Sequence, residues 1–237
     1  MSLLTSTIKR IGALGGIDFQ RIENTLFRAR QRLFASRGTD LVIDVGANRG
    51  QYALRIREEG YSGRIISFEP IPEAFESLVK ASATDPNWVP RQFALGQASS
   101  TLPFHVSENL ASSSLLDVTS TSIDAFAGTR TVRSIDVEVR TLDEAIKAGE
   151  FGKRTHLKMD TQGSELDVLL GASRVLDQID TVECELSFVP LYGGQPLFFT
   201  VCEYLYSLGF CAVWVERGFR NKDGELLQAD ALFRRDG

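Results

Sequence analysis

The sequence predicts an α/β fold built on a mostly parallel sheet, and three observations carry that expectation. Short apolar runs alternate with helix-periodic runs from Leu41 onward. The helical runs are long enough to serve as crossovers between parallel strands. The last two strand-like runs are instead joined by a short turn at Asn221–Gly224, which suits an antiparallel hairpin. The chain of 237 residues, 43% hydrophobic and 24% charged, is long enough to bury one large α/β core.

In chain order, Leu41–Val45 is the first expected strand and ends on a Gly-rich turn. Tyr52–Glu59 is the first helix of the alternating region. Arg64–Phe68 is the second strand, and Ile71–Ala81 a helix with Pro72 in its first turn, where proline is tolerated. Val89–Leu95 reads as a single third strand. Leu102–Val106 and Val137–Arg140 are strand-like, and the Ser/Thr-rich stretch from Ser107 to Ser134 reads as an extended loop covering the sheet. Thr155–Met159 is a strand, Ser164–Gly171 a helix and Thr181–Leu186 a strand. A helix over Thr200–Leu208 leads into Phe210–Glu216, and Ala231–Arg234 closes the sheet.

Before this region, Ile17–Ser36 is helix-like and rich in arginine, including Arg21, Arg28, Arg30, Arg32 and Arg37. It reads as a helix packed on the domain with its charged face in water; the alternatives are a lid, a homodimer surface or a membrane-surface patch. Residues 1–38 are expected to form an N-terminal helical extension and residues 39–237 the main domain.

A net charge of −5 gives no general attraction for nucleic acid. The three cysteines form no C-x-x-C pair. Cys184 and Cys211 sit in apolar runs and read as buried thiols, which suits a reducing, cytoplasmic setting. Met1–Gly16 lacks an apolar core followed by a cleavage site, so no secretory signal is expected. No run of about 20 apolar residues occurs, so no transmembrane helix is expected.

Four clusters carry chemistry. Asp44-Val45-Gly46-Ala47-Asn48-Arg49-Gly50 lies between a strand and a helix, where open α/β sheets bind ligands. Its G-A-N-R-G lettering is not the G-x-G-x-x-G of dinucleotide sites. Asp44 suits a ligand with cationic groups better than a pyrophosphate. Glu69, in Phe68-Glu69-Pro70, can accept hydrogen bonds from a ribose diol. In the His156–Glu165 stretch, strand periodicity puts His156, Lys158 and Asp160 on one face. His156 lies too early in its strand to reach the carboxyl-end crevice. Burying Lys158 and Asp160 requires partners. Glu165 falls in the first turn of the next helix, as a cap or as a ligand. Glu183 and Glu185 share a face of the fifth regular strand and need cations or a metal nearby, with Lys158 the expected partner of one.

At LVIDVGANRGQYA, ISFEP, FALG, VEVRTLDEAI, LKMDTQGSELDVLLGA and VECEL the chain resembles FkbM-type methyltransferases. The resemblance runs from about Leu41 to the C-terminus. It implies a Rossmann-like class I sandwich with a seven-stranded sheet and terminal hairpin, and S-adenosylmethionine as cofactor. It also implies Gly46 and Asn48 at the methionine part and Glu69 at the ribose. The expected cofactor set is Asp44, Gly46, Ala47, Asn48, Gly50, Tyr52, Glu69, Pro70, Ala94, Leu95 and Asp160. The family's frequent D-V-E-G is here Asp160-Thr161-Gln162-Gly163, and its frequent asparagine before Ala-Leu is Phe93.

Asp160, Glu185 and Lys158 are the expected catalytic residues. Asp160 is read as base or metal ligand with Glu185 as its partner. An oxygen-only set of Asp160, Glu185 and Glu165 would suit Mg²⁺, although no metal is expected. The expected acceptor is a hydroxyl of a small molecule or glycan, with Ser112–Ser114 and Phe188–Pro196 shaping its pocket. Alternatives are an NAD(P)-dependent oxidoreductase and a non-catalytic binding module on the same fold.

Overall fold

The computed structural model describes residues 25–235, so the parts of the basic N-terminal segment before Thr25 lie outside the described residues. Helix α1 spans Leu26–Arg37. Thr25 caps it, its hydroxyl accepting from the Arg28 N–H, and Gly38 ends it in the left-handed conformation at φ 67°. The main chain then alternates: β1 Leu41–Val45, α2 Gln51–Glu58, β2 Arg64–Phe68, α3 Pro72–Ser82, β3 Trp88–Arg91.

A short β4 (Ala94–Leu95), β5 (Ser100–Ser107), α4 (Ser120–Ala125), β6 (Thr131–Arg140) and α5 (Leu142–Ala145) follow. Regular alternation resumes with β7 Thr155–Met159, α6 Glu165–Leu170, β8 Ile179–Ser187 and α7 Phe198–Ser207. The chain closes with β9 Phe210–Arg217 and β10 Gln228–Arg235.

The main sheet has seven strands in the order β3-β2-β1-β7-β8-β10-β9. The β1, β2, β3, β7 and β8 strands run parallel, while β10 is antiparallel to both β8 and β9. The expected terminal hairpin is therefore present. The connection order reverses between β1 and β7, where Val45 lies opposite Met159. That reversal opens a crevice at the carboxyl ends of the two strands. Strands β1 and β7 are buried along their whole length, as central parallel strands are.

Two differences from the sequence reading bear on the crevice. The expected single strand Val89–Leu95 is two strands: Trp88–Arg91 pairs with β2, and Ala94–Leu95 pairs with β6. Pro90 donates nothing to a ladder, which confines β3 to the sheet edge. Phe93 then packs against Phe68, with ring centroids 5.2 Å apart, and turns the chain away.

The Ser107–Ser134 stretch, expected as loop, contains α4 and the start of β6. Thr119 caps α4 through its hydroxyl. A helix this short shows no apolar periodicity, so only its cap is visible in sequence. The β4, β5 and β6 strands form a second, three-stranded sheet. It packs Phe104, Val106, Val137 and Val139 against Ile71, Ala74 and Ala94, roofing one side of the crevice.

Cys184 and Cys202 are buried and Cys211 half-buried, so the second buried thiol is Cys202 rather than the expected Cys211. Among the described residues no helix is long and apolar enough to cross a membrane.

Candidate active site

The turn after β1 packs closely against the end of β7. Gly46 has φ +75°, and a Cβ there would lie 2.0 Å from the Asp160 carbonyl oxygen. Only glycine lets the β1 turn and the end of β7 approach this closely. Gly46→Ala is therefore expected to push the two strand ends apart, and thermal unfolding of the variant should show a lowered melting temperature.

The turn's N–H groups are already committed. Gly46 and Ala47 donate to the Phe68 carbonyl, Gly50 to Ala47, and Arg49 to the Gln51 side chain. Asn48 N–H donates to Glu69 Oε2 at 2.8 Å. A pyrophosphate cradle needs free N–H groups at such a turn, and this one offers none.

A cavity of about 520 Å³, counting the space open to solvent, lies beside the turn. Gly46, Asn48, Glu69, Pro70, Ala94, Leu95 and Asp160, all expected at the cofactor, line it. Sequence reasoning missed most of its apolar wall, which includes Ile71, Phe93, Phe104 and Leu115. Those residues come from elements that meet only in the tertiary fold; the FALG stretch was the one hint.

Glu69 is 4% exposed, and its two oxygens accept from the N–H groups of Asn48 and Ile71 at 2.8 Å each. A carboxylate has about four acceptor sites, so one per oxygen remains for a diol. Burial pushes its pKa up to about 7. Asn48 Oδ1 and Ser164 Oγ also belong to residues lining this cavity, are shielded from water, and have no hydrogen-bond partner. Buried polar atoms are nearly always satisfied, so both fit a ligand that donates hydrogen bonds.

Four expected cofactor residues do not line this cavity. Asp44 is fully buried; its Oδ1 lies 3.4 Å from Lys158 Nζ, and Oδ2 accepts from the Ser67 hydroxyl. Burial raises the Asp44 pKa, and Lys158 opposes the rise. Its carboxylate thus faces Lys158 beneath the turn rather than the ligand side. Gly50 packs on the Trp88 ring. Ala47 and Tyr52 line a neighbouring opening with Lys158 and Arg30.

Asp160 sits at the boundary between the first cavity and a second, of about 1030 Å³. Gln162 Nε2 donates to Asp160 Oδ1 at 2.7 Å and to Glu185 Oε2 at 3.0 Å. Gln228 Nε2 also donates to Glu185 Oε2, at 2.9 Å, and Tyr192 OH lies 2.8 Å from Gln162 Oε1. The expected pairing of Asp160 with Glu185 is thus made through an amide that turns an N–H toward both carboxyl groups. Burial, followed by the nearby acids Asp160 and Asp230, drives the Glu185 pKa well above the carboxylate range. Lys158 Nζ lies 3.6 Å from Asp160 Oδ2.

Glu165 does not join this group. Its carboxylate accepts from the Thr161 N–H and hydroxyl and from the Gly163 N–H, tying the loop before α6. Among the described residues no three His, Cys, Asp or Glu side chains are gathered so as to hold a metal ion.

Lys158, expected to pair with one of Glu183 and Glu185, pairs instead with Asp44 and Asp160, and the cation on Glu183 is Arg30 of α1, at 2.8 Å. Arg30 also bridges Glu59 at 2.7 Å and lies over the Tyr52 ring. His156, fully buried below the crevice, contacts Tyr52 OH at 3.1 Å and Thr181 Oγ1 at 2.8 Å. Burial lowers its pKa. The basic helix is thus packed on the domain, and one of its arginines is inside.

This sheet order, with the crevice at the reversal and a strand-end glutamate in it, defines a Rossmann-like methyltransferase fold. An rRNA methylase from Streptococcus thermophilus superposes with a TM-score of 0.51 at 10% identity, covering 92% of this chain and all of that one (100%). The chain belongs to the FkbM methyltransferase family, whose domain model matches residues 44–212. It is 29% identical over 148 residues to the hexuronic acid methyltransferase AglP of Haloferax volcanii. It is 24% identical over 161 residues to the 2-O-methyltransferase NoeI of Sinorhizobium fredii. These matches cover 62% and 65% of this chain, and 56% and 66% of the two relatives.

Proposed function

We propose that this methyltransferase binds S-adenosylmethionine in the 520 Å³ cavity and methylates a saccharide hydroxyl presented from the larger one. The observation that carries the reading is Asp160, which lines both cavities. When bound, S-adenosylmethionine supplies a methyl group on a sulfonium, already electrophilic toward an acceptor oxygen.

Glu69 would take the ribose hydroxyls, Asn48 and Ser164 would accept from the amino-acid end, and Ala94 and Leu95 with their apolar neighbours would enclose the base. Asp160 accepts the proton that the acceptor hydroxyl releases, and Gln162 and Lys158 hold its two oxygens in place. Aligning the acceptor against the donor can contribute about 7–11 kcal/mol. The two curated relatives, one named for a hexuronic acid and one for 2-O-methylation, support a sugar hydroxyl as acceptor. Residues 1–38 are an extension to a methyltransferase domain of residues 39–237.

The test is transfer of labelled methyl from S-adenosylmethionine to a panel of hydroxylated sugars and glycosides, with the product mapped by mass spectrometry. A methyl ether supports the reading; transfer only to nitrogen or sulfur overturns it. Binding of NADH without S-adenosylmethionine would restore the oxidoreductase alternative.

Cofactor affinity should also depend on pH. Glu69 takes up a proton as pH falls through about 7, and the neutral acid has lost acceptor capacity for the ribose diol. Folding is linked in the opposite sense: a carboxyl with a raised folded pKa favours the folded state at low pH and loses that contribution as pH rises from about 4.3 toward 7. Calorimetry at pH 6 and 8 should show tighter binding at pH 8, and Glu69→Gln should flatten the difference.

A further inference from the structure

The larger cavity extends away from Asp160 to a wall that the methyl-transfer chemistry does not use. That wall is the loop joining β9 to β10. Phe219 is 56% exposed there, yet its position is fixed. Its ring meets Phe126 edge-on, with centroids 4.8 Å apart, and its carbonyl accepts from the Leu227 N–H at 2.8 Å. The loop closes on itself through Asn221, which receives the N–H groups of Asp223 and Glu225. Phe219 thus offers an exposed aromatic ring to the cavity from a loop whose backbone is tied down.

Arg220 lines the same wall and is the one basic side chain among the described residues lining this cavity. It donates to the Gly224 carbonyl at 2.5 Å through Nη1. A guanidinium has five N–H donors, so its other edge is free for an anion. Asn109, Ser112 and Thr129 also line this cavity and carry polar groups suited to hydroxyls.

We propose that the β9–β10 loop is an acceptor-specificity subsite, in which Phe219 stacks on a sugar ring and Arg220 pairs with a carboxylate carried by that sugar. The proposal rests on the assignment of this cavity to the acceptor. Sugar C–H bonds carry partial positive charge and suit the negative face of an aromatic ring. A planar guanidinium matches a carboxylate in a two-bond fork, which a neutral sugar cannot use. Preorganisation by the loop lowers the ordering cost of binding.

The test compares p-nitrophenyl β-D-glucuronide with p-nitrophenyl β-D-glucoside. Calorimetric binding is measured with S-adenosylhomocysteine present, and labelled methyl transfer is measured in parallel. The glucuronide is expected to bind about tenfold tighter than the glucoside, a free-energy difference typical of one charge-assisted pair that is partly open to water. Arg220→Gln should collapse that ratio toward one, and Arg220→Lys should restore part of it. Phe219→Ala should weaken both glycosides together.

Equal binding of the two glycosides, or a glucuronide preference that survives Arg220→Gln, overturns the subsite. If the preference depends on Arg220 but no methyl is transferred, the subsite stands and the hydroxyl-transfer reading fails. If S-adenosylhomocysteine itself does not bind, the cofactor assignment fails, and glucuronide binding in its absence still decides the subsite.

Discussion

Asp160→Asn is expected to cut methyl transfer by roughly 10²–10⁴-fold, the usual contribution of a positioned general base, while leaving S-adenosylmethionine binding nearly intact. The replacement has the same shape. The asparagine oxygen can still accept from Gln162 Nε2, which now donates to Asp160 at 2.7 Å. Lys158 keeps Asp44 as an ion partner at 3.4 Å, so no buried cation is stranded. What disappears is the ability to take a proton at the junction of the two cavities. Glu185→Gln should cost far less, because burial and the neighbouring acids disfavour the charged form of Glu185, and the glutamine keeps an oxygen to accept from Gln162 and Gln228. The pair of variants is read by single-turnover transfer and by calorimetry. Full turnover in Asp160→Asn with normal cofactor affinity would remove Asp160 from the base role. Equal losses in both variants would point to shared positioning instead.

That contrast shows where the sequence was informative about the site. The periodicity of the His156–Asp160 strand placed Lys158 and Asp160 on one face, and the structure keeps them in contact. The bounds of Leu41–Val45, Arg64–Phe68 and Thr155–Met159 were legible because each is a short strand-like run ending at a glycine or carboxylate turn. These strands lie side by side in one regular sheet, so local pattern and tertiary context agree.

The acceptor cavity was not legible in the same way. Its wall draws on residues near Ala111, Phe126, Tyr192 and Phe219, from four separate stretches. No period links them. The Ser112–Ser114 and Phe188–Pro196 segments were visible as irregular chain, but what they face is decided by the β5–β6 pairing and by the turn of the β9–β10 hairpin. Asp44 is the converse case. A carboxylate next to a glycine turn resembles a ligand contact in one dimension, and in three it is the counter-ion that lets Lys158 be buried.

The N-terminal helix poses the same problem at longer range. Its arginines look alike in sequence, and nothing local separates Arg30 from Arg28 or Arg32. Only the fold places Arg30, 3% exposed, between Glu59 and Glu183. Removing it leaves two carboxylates without their shared cation. Arg30→Met is therefore expected to destabilise the protein by about 3–5 kcal/mol, the range for breaking a buried ion pair from one side. For a domain of this size that corresponds to a melting temperature lowered by roughly 6–20 °C.

The pH dependence tests the cause. Burial would raise the Glu183 pKa, but Arg30, with His156 and Lys158, overcomes that and holds it at about 2. A carboxyl with a depressed folded pKa contributes stability that is present above its unfolded pKa near 4.3 and is lost as pH falls toward 2. Urea unfolding of the unsubstituted chain should therefore weaken over that window, and Arg30→Met should lose much of the weakening. Adding Glu183→Gln to Arg30→Met should recover part of the stability by removing a stranded charge. A loss below 1 kcal/mol in Arg30→Met, or no recovery in the double variant, would mean that the helix is held by Phe34 and its apolar neighbours rather than by the ion network.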